Sequence, residues 1–205
     1  IAPALIQLNG WSDRNAEAAL ERAVVLATRL GDSRIASAYY FMAAVHELRG
    51  EYRESQRCLE CQQALPQAFE TDLAELESHE LMACSLYHQG AFEQALEHAR
   101  AGLRSGAQYD LNSKLYAYGE SPRVSCHNWA GLALWFLGFP DQALASIDEG
   151  IALARKPARR FSLANALSQA ATLYQLRREP DRVDAYASEA LEVALEEGFR
   201  YPLAV

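Results

Sequence analysis

Three segments of the sequence superimpose without gaps: Leu48 to Ser55 (LRGEYRES), His88 to Ala95 (HQGAFEQA) and, matched on its glycine, Leu137 to Ala143 (LGFPDQA). A fourth, Leu176 to Val183 (LRREPDRV), keeps the pattern with Arg178 in the glycine's place. The matched positions Gly50, Gly90, Gly138 and Arg178 are 40, 48 and 40 residues apart. A period near 40 fits one helical hairpin per repeat, each burying its apolar face on its neighbours. The glycine ends the first helix, because only glycine takes a left-handed conformation at little cost. Tyr52, Phe92 or Pro140 follows two residues on, and proline is well placed in a first helical turn because its missing N–H has no partner there. Small residues at Ser55, Ala95 and Ala143, with Val183 in the fourth unit, let the paired helices approach closely.

This pattern predicts an all-α, TPR-like α–α superhelix of antiparallel helix pairs, about four repeats long. Helices are expected near 13–30, 33–49, 52–64, 70–88, 92–104, 122–137, 140–155, 159–177 and 180–197. Ser121 before Pro122 reads as an N-cap with proline at the first helical position, and Gly31-Asp32-Ser33 as the end of one helix and the cap of the next. The whole of 1–205 reads as one array, with repeats at about 1–31, 32–66, 67–105, 121–156 and 157–198. An inserted loop at 105–121 carries the extra spacing. Residues 1–8 and Tyr201-Pro202-Leu203 read as pieces of further helices, so the chain is expected to be a fragment of a larger protein.

Composition narrows the function. Half of the residues are hydrophobic, enough for a continuous core, and no long alternating strand pattern occurs. A net charge of −8 argues against a nucleic-acid surface, which needs a basic face. No apolar run reaches the length of a membrane span. Four cysteines without small-domain spacing fit a reducing, cytoplasmic setting.

Several stretches resemble one known region. They are Asn9-Gly10-Trp11, Ala19 to Ala23 (ALERA), Leu30-Gly31-Asp32, Gln89 to Ala95 (QGAFEQA), Tyr118 to Val124 (YGESPRV) and Ala133 to Ala143 (ALWFLGFPDQA). Phe161 to Ala164, Leu176 to Glu179 and Glu197 to Phe199 complete the set. Together they resemble the C-terminal TPR-like region of bacterial fusion proteins in which a class III adenylate/guanylate cyclase domain precedes an AAA-type ATPase. That region is related to the helical arrays of large ATP-dependent transcriptional regulators. The resemblance implies a regulatory protein-binding module of a signalling protein and carries no catalytic residue, because the family's catalytic motifs lie in other domains. It departs at Arg178, where the pattern prefers glycine, and at the basic stretch 155–160.

No catalytic or cofactor motif is legible. There is no phosphate-binding Gly-x-x-x-x-Gly-Lys-Ser/Thr and no Gly-x-Gly-x-x-Gly, and His46-Glu47 is not followed by the second histidine of a zinc helix. Cys58-x-x-Cys61 has no second cysteine pair, so it reads as two small residues on a packed helix face. Cys84 and Cys126 read as core, His79, His88 and His98 as solvated. Cys126-His127 is no nucleophile pair, since helix neighbours point about 100° apart. The basic stretch with Arg177, Arg178 and Arg182 reads as solvated, with an anion site as the alternative. No metal, cofactor or catalytic residue is predicted.

In such an array the first helix of each hairpin lines the concave side. With the turn glycine as repeat position 15, the groove-facing positions are Ser37, Tyr40, Ala44 and Glu47, then Glu77, Glu80, Cys84 and Tyr87. The third and fourth repeats contribute Ser125, Asn128, Leu132 and Trp135, then Asn165, Ser168, Thr172 and Gln175. The predicted partner-binding set is Tyr40, Glu47, Glu80, Tyr87, Asn128, Trp135, Ser168 and Gln175. Aromatics flanked by amides and hydroxyls suit a protein or peptide, or a neighbouring domain of the same chain. Trp135 and Tyr87 have inter-repeat packing as their alternative, and Trp129 and Phe136 are expected to pack between helices. Asn128 resembles the amide of peptide-carboxylate clamps, but the clamp lysines are missing. The alternatives to a protein-binding module are a small-molecule effector sensor and end-to-end self-association.

Overall fold

The computed structural model describes residues 14–65, 72–105, 120–155 and 160–199. Those residues form nine helices and no strand: α1 (Arg14–Leu30), α2 (Ile35–Leu48), α3 (Tyr52–Gln63), α4 (Asp72–His88), α5 (Phe92–Ser105), α6 (Pro122–Phe136), α7 (Pro140–Ala154), α8 (Arg160–Arg177) and α9 (Pro180–Glu197). The expected chain-end pieces and most of the expected inserted loop lie outside the described residues.

One hydrogen-bond device closes all four hairpins. At the end of α2, Gly50 N–H donates to the Glu47 carbonyl and Glu51 N–H to that of His46, each at 2.9 Å. Gly90 and Ala91 repeat this after α4, Gly138 and Phe139 after α6, Arg178 and Glu179 after α8. This pairing satisfies the orphan carbonyls of a helix end and needs a left-handed residue at its centre. The three glycines have φ of +73°, +78° and +85°, and Arg178 follows them at +61°. A side chain there costs roughly 1–2 kcal/mol against glycine, so stacking of the fourth hairpin overrides local preference. Tyr52, Phe92, Pro140 and Pro180 each open the second helix.

The caps differ from expectation in detail. Ser121 does occupy the N-cap of α6, with Pro122 next, but its hydroxyl makes no capping bond. Its own N–H instead donates to the Ser162 hydroxyl oxygen of α8 at 2.8 Å, which ties two repeats together. Before α2 the Asp32 carboxylate, within the expected Gly31-Asp32-Ser33 segment, accepts the Arg34 N–H at 2.9 Å.

Helices pair as α2/α3, α4/α5, α6/α7 and α8/α9. The second helix of each pair leans on the first helix of the next, and the first helices α2, α4, α6 and α8 pack side by side as an inner row. The expected small residues are at the pair contacts: Ser55, Ala95 and Ala143 are buried. Leu59, Leu76, Leu132, Ile147, Leu167 and Leu173 fill the spaces between layers. The result is an all-α superhelix of stacked antiparallel pairs. No described helix is long and apolar enough to cross a membrane.

Candidate functional site

A cavity of about 230 Å3 opens on the inner row. Its lining comes from all four inner helices: Tyr40, Ala44, Glu47 and Leu48 of α2, Glu80, Leu81, Cys84 and His88 of α4, Trp129 of α6, and Asn165 and Gln169 of α8. Glu120, just before α6, completes it. For α2 and α8 to share one cavity the row must curve, as the stacking of repeats dictates.

The centre of the site is Glu80. The Tyr40 hydroxyl donates to its Oε2 at 2.9 Å and the Trp129 indole N–H to its Oε1 at 3.1 Å. Glu120 accepts from the Ser125 hydroxyl and the Asn165 amide. These bonds favour the ionised carboxylates, but burial disfavours them more strongly. Burial and then the neighbouring Glu120 push the Glu80 carboxyl up to about 8, while burial also raises Glu120. Burial and the surrounding carboxylates raise the Cys84 thiol well above its ordinary value. The third acid, Glu47, is 4% exposed. Its Oε1 lies 3.3 Å from His88 Nδ1, and its buried Oε2 has no hydrogen-bond partner. Cys84 Sγ lies 3.7 Å from the same Nδ1. Among the described residues, no lysine or arginine lines the cavity.

Beside the cavity Tyr87 joins an aromatic cluster. Its ring centroid is 5.4 Å from Trp129 and 5.7 Å from Phe92, and Phe92 stacks on Phe136 at 4.5 Å and 6°. The cluster fastens the α4/α5 hairpin to α6, so Tyr87 and Phe136 pack between repeats. Trp129 does this too and also reaches the site.

The eight predicted partner-binding residues do not all line this cavity. Tyr40, Glu47 and Glu80 meet in the cavity. Asn128, expected in the groove, is 1% exposed and lies under α7, where a Cβ on Gly150 would come within 3.1 Å of its amide oxygen. Trp135 is half-buried, with the Arg177 guanidinium 5.9 Å from its ring. The Ser168 hydroxyl donates back to the Ala164 carbonyl at 3.0 Å, and Gln175 is exposed. The register alone did not single out Glu120, which lies before α6, or Trp129, one position off the groove set. Nor did it single out His88 and Gln169.

Cys58 is buried, its thiol pushed up to about 11 mainly by that burial, but Cys61 is exposed, so the two do not share a packed face. Cys126 is buried. His79 and His98, expected in solvent, face each other across α4 and α5 with Nδ1 atoms 3.0 Å apart. Arg155 pairs with Glu189, Arg160 with Glu196 and Glu197, and Arg177 with Glu179, so these three are not held ready for an anion.

No protein-family model matches the chain, and no curated protein matches it in sequence.

Proposed function

We propose that this chain is a non-catalytic protein-binding module, a TPR-like array whose inner cavity receives a cationic side chain of its partner. The carrying observation is the set Glu47, Glu80 and Glu120 in one cavity with Tyr40 and Trp129 and no lysine or arginine among the described lining residues. Buried carboxylates gain from a cation that enters with its own hydrogen bonds, and aromatic rings add attraction for it. Glu80 is poised for this: an arriving ammonium or guanidinium favours its ionised form and displaces its proton.

Size favours a side chain over a free effector. Pockets that enclose a drug-sized ligand run to roughly 300–1,000 Å3, and this cavity is about 230 Å3. A lysine or arginine presented by a peptide, or by a neighbouring domain of the same polypeptide, fits that space. The residues from Gln89 to Ala95 and from Ala133 to Ala143 that resemble cyclase–ATPase fusion proteins support a regulatory role within a bacterial cytoplasmic signalling protein.

The test is calorimetry of the chain against arginine- and lysine-bearing peptides and the same peptides with citrulline or norleucine at the basic position. Binding should require the charge and fall on the order of tenfold in Glu80→Gln, the loss of one charge-assisted contact. Equal binding of charged and neutral peptides would overturn the reading. A thermal shift with sugars or nucleotides and none with peptides would favour the effector sensor instead.

A further inference from the structure

We propose that Glu47, Cys84 and His88 form a site for one divalent transition-metal ion of the zinc type, joining the ends of α2 and α4. The three donor atoms lie within 4.8 Å of one another. Cys84 and His88 are one turn apart on α4, the spacing that puts two side chains on one helix face. Glu47 approaches them from the adjoining repeat. Thiolate, imidazole and carboxylate are the donors that zinc and its neighbours take, and three protein ligands with a fourth position open is a common arrangement for them.

The distances suit an ion. Tetrahedral bonds of about 2.0 Å to nitrogen and oxygen and about 2.3 Å to sulfur hold an O/N pair about 3.3 Å apart and an S/N pair about 3.5 Å apart. Here Glu47 Oε1 and Cys84 Sγ stand 3.3 and 3.7 Å from His88 Nδ1. One ring nitrogen offers a single proton or a single lone pair, so as a hydrogen-bonding group it serves only one of these neighbours well. A cation satisfies all three.

A second observation points the same way. The Glu47 side chain is 1% exposed, yet its Oε2 lacks any hydrogen-bond partner. A buried unmatched carboxylate oxygen destabilises the fold unless a cation meets it. The residue lines the cavity, which gives the ion a way in, and His88 stands at the exposed side with its ring against Trp129 at 5.3 Å. On binding, the metal takes the place of the Cys84 thiol proton, which leaves to solvent.

The experiment uses the full chain, stripped with a chelator and titrated with Co2+ alone, then with Zn2+ in competition. One equivalent of Co2+ should bind, with the near-ultraviolet charge-transfer absorption that marks a cobalt–thiolate bond, and Zn2+ should abolish the signal. The band should vanish in Cys84→Ser and persist in Cys61→Ser. His88→Gln alters an exposed side chain, so its fold is expected to survive. It should weaken binding by more than the roughly 10–100-fold that loss of an outer-shell partner costs. A band that survives in Cys84→Ser, or depends on exposed Cys61, overturns the site, as does the absence of any thiolate band. This outcome is separate from the basic-ligand reading: peptide binding measured in chelator keeps that reading standing if the metal site fails.

Discussion

Tyr40 and Glu80 occupy the same register position in consecutive repeats, ten residues before Gly50 and Gly90, and the hydroxyl of the first donates to the carboxylate of the second at 2.9 Å. The bond between equivalent positions makes the stacking of two hairpins depend on a buried acid, and so on pH. Glu80 rises from 4.5 to about 8 on folding. The folded state therefore holds this proton more tightly than the unfolded state. The protonated side chain carries no penalty below about pH 4.5, and the cost of ionising it grows until about pH 8. Tyr40, Trp129, Glu120, Glu77 and Cys84 surround it, and none of them supplies a positive charge. Stability should fall on the order of 2–4 kcal/mol as pH rises through this window. Urea denaturation of the native chain and of Glu80→Gln checks this. The variant should show a shallower alkaline decline, with a remainder from Glu120.

The acid side has its own slope. The His79 and His98 rings, with Nδ1 atoms 3.0 Å apart, are both held below the ordinary 6.5, chiefly by burial. The unfolded chain takes up these protons first, so stability is full above about pH 6.5 and is lost as pH falls below it. Buried His127 is shifted the same way. Histidine proton titration by NMR should give His79 and His98 coupled curves below 6.5, and His98→Gln should flatten the acid decline in stability.

Arg178 and Gly138 test the hairpin turns in opposite directions. Arg178→Gly removes a side chain from a left-handed position and should stabilise the chain by about 1 kcal/mol. Gly138→Ala adds one at φ +85°, where nothing lies within 4 Å, so its cost is backbone strain alone, about 1 kcal/mol. Paired denaturation curves decide both. Equal stability of Arg178→Gly and the native chain would remove the claim of strain.

Gly131 is a different case. A Cβ there would lie 2.7 Å from Ile147 Cγ1 and 3.0 Å from the Ala143 carbonyl oxygen. Alanine gains up to about 1 kcal/mol in helix propensity, but overpacking costs about 1–3 kcal/mol. Gly131→Ala should therefore destabilise the chain, measured by its thermal midpoint, even though the position is mid-helix.

The array was legible because its turn chemistry is local. A glycine followed two residues later by an aromatic or proline reports the end of one helix and the first turn of the next. Even Arg178, which breaks the glycine rule, was placed by the residues around it. The site was less legible, because a register names the side of a helix and not how near the next helix lies. At Tyr40, Glu47 and Glu80 the position and the space coincide. At Asn128 they do not, since Gly150 and Gly131 let α7 approach α6 so closely that the amide is enclosed. Glu120 falls before its helix, where repeat position says nothing. Cys84 and His88 carried a helical i,i+4 signal, but Glu47, the third donor, joins them only through the stacking of repeats.

Because the cavity takes wall residues from α2 and from α8 together, its width depends on the pitch of the whole coil. Stretching or winding the array by a small angle at each hairpin sums across the stack and reshapes the hollow in its middle.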